Sequence, residues 1–268
     1  MSSRAFPLWT LALAIPAFAL IAGPMLGLLL NIPWPKALQL VTAPEVLTSL
    51  GLSLSTAAVA TALSGLFGVP LALWLARLQR CRPGLSQFIQ LAVYAPLVLS
   101  PVVSGLALVF FWGRPGLLGP LLERAGWSVA YTTLGVVVVQ VFVALPFVVA
   151  TAVTALRSVP DSVQDAAAVD GASRSETLRL VILPIAWPGI AVGLVLAFAR
   201  SLGEYGATLT FAGNVAGRTR TLPLLIELGL SSNDMDRALG ACLVLLAVYV
   251  LVVGGIAGLR LVQPSRRG

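Results

Sequence analysis

Six stretches of this sequence contain no Asp, Glu, Lys or Arg, and each is long enough to cross a lipid bilayer. They are 20 to 32 residues long and cover 5–35, 46–76, 83–113, 125–156, 180–199 and 238–259. A helix needs about 20 apolar residues to span a hydrocarbon core of about 30 Å, within which its backbone must satisfy its own hydrogen bonds. Only 10% of the 268 residues are charged. We therefore predict an all-α integral membrane protein with six transmembrane helices.

The loops between these stretches are too short for a second domain, so we predict one membrane domain over residues 1–268. The expected spans are about 8–30, 47–76, 86–112, 131–156, 184–204 and 238–260. The first stretch could be mistaken for a secretory signal, because Ala17-Phe18-Ala19 resembles a cleavage site. Its uncharged length exceeds that of a signal core, which favours a retained span.

Glycines four residues apart occur in three of the spans. The pairs are Gly23 with Gly27, Gly189 with Gly193, and Gly254 with Gly258. Such spacing lets helix backbones approach closely in lipid. For any single pair, the general abundance of glycine in membrane helices is an equally good explanation.

The composition excludes several kinds of chemistry. The chain has no histidine, which excludes a Ser-His-Asp triad and imidazole metal sites. Its one lysine, Lys36, does not lie in a phosphate-binding G-x-x-x-x-G-K-[ST] loop, so the chain is not itself a P-loop ATPase. Cys81 and Cys242 fit neither a zinc site nor a disulfide framework. We expect no catalytic residue, metal or cofactor in this chain.

The basic residues predict the orientation of the spans. Six spans place both termini on one side, and that side carries ten of the 17 Lys and Arg residues. Cytoplasmic loops are enriched in basic residues, so we expect both termini in the cytoplasm. The same rule explains the net charge of +7 without any binding of nucleic acid.

The cytoplasmic segment of about residues 158–180 carries helix start and stop signals. Pro160 and Asp161 suit a helix start, and Gly171 suits a left-handed C-terminal cap. Ser173 and Glu176 match a capping box that would start a second helix. The first helix presents small side chains that could lie in a groove on a partner. An ordinary solvated connector is the alternative that the residues leave open.

This segment of about residues 158–180 resembles the E-A-A-x₃-G-x₉-I-x-L-P signature of permeases of binding-protein-dependent ABC importers, and we call it the coupling segment. Asp replaces the usual Glu and Val181 replaces the usual Ile, while every spacing matches. The resemblance implies the type I ABC importer permease fold and contacts with a separate ATPase subunit. The residues that it assigns to ATPase coupling are Asp165, Ala166, Ala167, Gly171, Leu183 and Pro184.

A second informative stretch follows the expected fifth span. Arg200 and Glu204 are four residues apart, so on one helix they would share a face and could pair. Charged groups inside a membrane usually face the interior of the helix bundle or a water-filled path. A structural ion pair, or snorkelling of Arg200 to the surface, is the alternative. Residues 217–223 predict an external, basic and hydroxyl-rich loop in which Thr219 would be accessible.

This stretch is similar to the molybdate and sulfate group of ABC importer permeases. The shared elements are A-R-x-L-G-E-[FY]-G-A at 199–207, G-N at 213–214 and G-x-T-x-T-[LI]-P at 217–223, and residues 208–214 look closer to molybdate permeases. For the translocation pathway we single out Arg200, Ser201, Glu204, Thr208, Thr210 and Asn214. For contact with a binding protein we single out Arg218 and Arg220.

Together these features predict the permease subunit of an ATP-driven oxyanion importer in a prokaryotic plasma membrane. The expected anion is molybdate, with sulfate, thiosulfate or tungstate as alternatives. The resemblance implies two ATPase subunits, a periplasmic or lipoprotein oxyanion-binding protein and a second permease copy as partners, besides membrane lipid. A secondary anion transporter is a rival that the near absence of charge in the spans disfavours. A structural membrane anchor would leave the coupling segment and the Arg200–Glu204 pair without an explanation.

Overall fold

The computed structural model describes residues 8–262, except for the side chains of residues 8, 11, 164, 253 and 255–262. Within that range the chain is helical and has no strand. The long helices are α1 (Leu8–Leu30), α3 (Pro44–Cys81), α4 (Pro83–Val98), α5 (Pro101–Trp112), α7 (Thr133–Arg157), α10 (Leu183–Leu202) and α13 (Met235–Val262). The short helices are α2 (Ala37–Val41), α6 (Gly119–Arg124), α8 (Asp161–Val169), α9 (Arg174–Glu176), α11 (Gly206–Ala212) and α12 (Leu222–Ser231), with a 3₁₀ turn at Trp34–Lys36.

Five of these helical stretches are long and apolar enough to cross a membrane, and a sixth crossing is possible if α4 and α5 together form one bent span. The prediction of an all-α membrane protein is therefore confirmed. The prediction of the third span as one helix over 86–112 is wrong in detail, because this stretch forms two helices, α4 and α5, that meet at an angle of 116°.

The break between α4 and α5 has a local cause. Ser100 has an extended backbone, as expected for a residue before proline, and its Oγ accepts a hydrogen bond from the Val103 N–H. Pro101 then occupies the first turn of α5, where its missing N–H costs nothing. The Ser-Pro pair therefore ends one helix and starts the next inside an uncharged stretch.

The fifth span begins earlier and ends earlier than the expected 184–204. A π-helical turn at Thr177–Ile182 continues directly into α10, and α10 ends at Leu202. Pro184 lacks the N–H that would close an α-helical turn onto Leu180, and the wider π turn precedes it. Beyond the span, α11 and α12 are two helices that the sequence analysis did not predict.

The centre of the bundle is α7, which packs against α3 and α10. A buried cluster joins the three helices and includes Leu75, Val149 and Ile190. Of the two predicted glycine pairs whose surroundings the structure describes, one serves the close packing, and the pair of Gly254 and Gly258 lies partly outside the described side chains. Gly189 and Gly193 lie against α7, where an added Cβ would collide with Ala155 and Thr151, whereas at Gly23 and Gly27 an added Cβ would meet no atom within 4 Å.

Candidate coupling and translocation sites

Backbone hydrogen bonds shape the corner of the coupling segment. Gly171 has φ +81°, as the sequence predicts. The Ala172 N–H donates to the Ala167 carbonyl at 3.0 Å, and the Gly171 N–H donates to the Ala168 carbonyl at 3.1 Å. These two bonds form a Schellman motif, which needs a left-handed residue where Gly171 stands. The glycine therefore sets the direction in which the chain leaves α8.

The predicted capping box is confirmed immediately after this corner. The Ser173 N–H donates to Glu176 Oε2 at 2.8 Å, and the Glu176 N–H donates to Ser173 Oγ at 3.3 Å. Two N–H groups at the start of the helix are therefore satisfied within four residues. The turn between α8 and α9 is therefore held by local contacts alone.

The side chains of α8 are left largely uncovered. Asp165, Ala166 and Ala168 are exposed, Ala167 is half-buried, and Val169 is 87% exposed. An ion pair of 2.5 Å between Arg80 Nη2 and Asp161 Oδ1 ties the start of α8 to the end of α3. This geometry offers a fixed, small-residue surface outside the bundle.

The other two residues of the signature lie apart from that surface. Leu183 and Pro184 form the first turn of α10, where Leu183 is half-buried against the core of the bundle and Pro184 is exposed. The motif therefore joins an uncovered helix to a span that packs in the core.

Arg200 and Glu204 form the predicted ion pair, with 2.6 Å between Nη2 and Oε2. The reason given for it was wrong, since α10 ends at Leu202 and Glu204 lies beyond the helix. The Glu204 side chain is 1% exposed, and its Oε1 also accepts a hydrogen bond of 2.9 Å from the Ala207 N–H. Glu204 therefore satisfies one N–H group in the first turn of α11 while it holds Arg200, whose side chain is 32% exposed.

Gln140 is a buried polar residue that the sequence analysis missed. Its Nε2 donates to the Ser201 carbonyl at 3.1 Å, which links the middle of α7 to the end of α10. Its Oε1, the Ser201 Oγ and the Thr208 Oγ1 are buried without a hydrogen-bond partner among the described residues. A single amide inside the uncharged stretch 125–156 was the available signal. We refer to Gln140, Arg200, Ser201 and Glu204 as the span-five cluster.

The remaining residues selected from the sequence do not join this cluster through the hydrogen bonds of the structure. Asn214 Nδ2 donates to the Leu224 carbonyl at 2.9 Å, and its Oδ1 accepts from Arg220 Nε at 2.9 Å. Thr210 Oγ1 donates to the Gly206 carbonyl of its own helix at 2.9 Å. Arg218 is exposed. Within 8–262, therefore, Asn214 and Arg220 serve the loop itself and Arg218 presents a free surface charge.

Thr219 is buried, so the expectation that it would be accessible is wrong. Its Oγ1 donates to the Gly213 carbonyl at 3.0 Å and accepts from the Val215 N–H at 2.8 Å. The Thr219 hydroxyl thus serves as the hydrogen-bond partner of two backbone groups in a tight loop. In the described part of the chain, no group of three or more Cys, Asp or Glu residues could hold a metal ion.

The bundle of apolar spans, with an exposed small-residue helix beside it and an ion pair at the end of one span, defines a multi-pass membrane protein. Residues 68–267 match the family described as "Binding-protein-dependent transport system inner membrane component". The chain belongs to this family of transport permeases.

Named relatives and solved structures agree with this assignment. The molybdenum transport system permease protein ModB of Mycobacterium tuberculosis is 44% identical over 250 residues, which are 93% of each chain. The sulfate transport system permease protein CysT of Salmonella typhimurium is 33% identical over 92% of this chain and 86% of its own. A bacterial alginate ABC transporter, crystallised with an alginate-bound periplasmic protein, contains a chain with a TM-score of 0.72 at 22% identity, covering 92% of this chain and 91% of that one. This last likeness shows the fold.

Proposed function

We propose that this chain is the permease subunit of an ATP-driven importer for a tetrahedral oxyanion, and that the anion is molybdate. The observation that carries the proposal is the 44% identity to ModB, a molybdenum permease, along 93% of both chains. The lower identity of 33% to the sulfate permease CysT makes sulfate the second candidate. The chain itself performs no covalent chemistry in this proposal.

The Arg200–Glu204 pair suits the passage of an anion. A lone arginine in a membrane is costly and would hold an anion strongly. Glu204 balances the charge, while about a third of the Arg200 side chain stays exposed and can donate to a passing oxyanion. The Ser201 and Thr208 hydroxyls are fully buried, so this proposal gives neither of them a contact with the passing anion. Such a site attracts an anion and also lets it leave.

The coupling segment is proposed to dock on a separate ATPase subunit, with two ATPase copies and a second copy of this permease in the complete importer. Support comes from the Asp165-Ala166-Ala167 element on an exposed helix whose exit is set by Gly171. A soluble oxyanion-binding protein would deliver substrate on the other side of the membrane, near the exposed Arg218. Both termini then lie in the cytoplasm of a prokaryotic cell.

The test is uptake by the chain reconstituted in proteoliposomes with its ATPase and binding protein. We expect ATP-dependent uptake of labelled molybdate that excess unlabelled tungstate suppresses and excess sulfate does not. Equal suppression by sulfate would replace molybdate with sulfate. Uptake that proceeds without any ATPase subunit would overturn the ABC mechanism in favour of secondary transport.

A further inference from the structure

A groove lies where the end of α3 meets the coupling segment, and no role proposed above uses it. Its volume is about 590 Å³. Arg77 and Arg80 of α3 and Arg174 of α9 line it, together with apolar residues, and no acidic residue does. We call it the basic groove.

The basic groove combines a charged side with an apolar side. Leu73, Trp74, Leu178 and Ile182 line the same cavity as the arginines. A small inorganic anion would make no favourable contact with this apolar wall. A ligand with a negative headgroup and a hydrocarbon chain would contact both.

The charges of the groove are only partly balanced by the protein. Arg80 pairs with Asp161. Arg77 and Arg174 are exposed and form no ion pair among the residues that the structure describes. The groove therefore presents two uncompensated guanidinium groups, which can each donate two parallel hydrogen bonds to a phosphate.

The position along α3 places the groove at the membrane surface. Arg77 is the first charged residue after the uncharged stretch 46–76. Trp74 is 49% exposed one turn earlier, at the level where aromatic side chains anchor helices to the interface. With 38 residues, α3 is roughly 57 Å long, so it extends well past a hydrocarbon core of about 30 Å.

We propose that the basic groove binds the phosphate headgroup of an anionic phospholipid, with Arg77 and Arg174 on the phosphate and an acyl chain along Leu73, Trp74 and Leu178. Basic pockets between helices at a membrane surface suit such headgroups. Because the groove touches both α3 and the coupling segment, a bound lipid would brace the docking surface. The inference needs only that the spans lie in a membrane and does not depend on which anion is transported.

Native mass spectrometry of the full chain in detergent tests this proposal. We expect dioleoylphosphatidylglycerol to remain bound where dioleoylphosphatidylcholine does not. Each of Arg77→Gln and Arg174→Gln should weaken phosphatidylglycerol binding about fivefold, and the double variant more than either. Arg82→Gln is the matched control, because Arg82 is exposed near the same surface and does not line the groove, and it should bind as the wild type does.

Three outcomes would overturn the proposal. The first is equal loss of lipid binding in Arg82→Gln and in the groove variants. The second is displacement of the lipid by millimolar inorganic phosphate, which would make the groove a free-anion site. The third is unchanged lipid binding in Arg77→Gln with loss of ATPase co-purification, which would assign the groove to a protein partner. If the double variant fails to insert in the membrane, lipid binding by the two single variants at these exposed positions tests the proposal.

Discussion

The corner of the coupling segment at Gly171 and the span-five cluster around Glu204 are stabilised in opposite ways. At the corner, every bond described above joins residues within five positions of one another, and Asp165, Ala166 and Val169 of α8 are exposed. In the cluster, Glu204 and Gln140 are buried, and Gln140 reaches Ser201 across 61 positions. The docking role proposed for the first region needs a fixed shape with free side chains. A polar site inside a membrane bundle needs partners from several helices, because an unpaired buried polar group is costly.

The largest effect is expected at the corner, where a single backbone change should abolish function. Gly171→Val places a β-branched residue at φ +81°, which costs about 1–2 kcal/mol locally and redirects the exit from α8. Ala167→Arg adds a long charged side chain to the small face. We expect both variants to insert normally and to lose co-purification with the ATPase and stimulated ATP hydrolysis.

Ser162→Ala is the matched control for the corner, because Ser162 is exposed at the start of the same helix. It should retain wild-type association. If Gly171→Val and Ala167→Arg also associate normally and hydrolyse ATP at the wild-type rate, the segment is a connector. The exposed helix α8 would then have no docking role, and the two regions would differ only in how they are stabilised.

The next largest effect is expected in the cluster and separates transport from stability. Arg200→Leu should reduce anion uptake at limiting substrate about tenfold or more, since a hydrogen bond to a charged group contributes about 1.5–3 kcal/mol. Glu204→Gln should instead lower stability by about 2 kcal/mol, less than for a fully buried pair, because Arg200 is 32% exposed. Uptake assays and thermal unfolding in detergent measure the two effects.

The double variant Arg200→Gln with Glu204→Gln is the decisive control. It removes both charges, so most of the stability lost in Glu204→Gln should return. In the pathway interpretation, uptake stays low although assembly recovers. Recovery of uptake together with assembly would show that the pair is structural, and Arg200 would leave the list of pathway residues.

A smaller effect is expected from Gln140→Leu, which removes the long-range bond to Ser201. A typical net contribution of such a bond is about 1 kcal/mol, so we expect a modest fall in the unfolding temperature. Gln90→Leu is the matched control, because Gln90 Nε2 donates only to Ser86 one turn away. An equal or larger loss of stability in Gln90→Leu would contradict the special role of contacts between spans.

The smallest effect is expected from accessibility probes, which should leave transport unchanged. With Cys81 and Cys242 replaced by serine, Arg218→Cys should react with an impermeant thiol reagent applied outside cells, and Ser162→Cys should not. Thr219→Cys should stay unreactive although it neighbours Arg218, because residue 219 is buried. Labelling of Ser162→Cys from outside would invert the proposed orientation.

The features that could be predicted from the sequence are those set by neighbouring residues. Uncharged length predicts spans because the bilayer has a fixed thickness. The conformation of Gly171 and the Ser173–Glu176 box follow from backbone groups within one turn. The break at Ser100-Pro101 also has a local cause, but the sequence analysis treated the third stretch as one span and missed it.

The tertiary structure alone decided which polar groups meet. Gln140 contacts Ser201, and Asn214 binds Arg220, because α7 lies between α3 and α10 and because the chain folds back after α11. The rotation of α7 and α10 determines the contact between Gln140 and Ser201, and apolar stretches say little about rotation when lipid and core are both apolar. Glu204 illustrates how far sequence spacing can predict such contacts. The spacing to Arg200 suggested the pair, but only the packed bundle shows that Glu204 lies beyond the helix, is buried, and accepts a hydrogen bond from the first turn of α11.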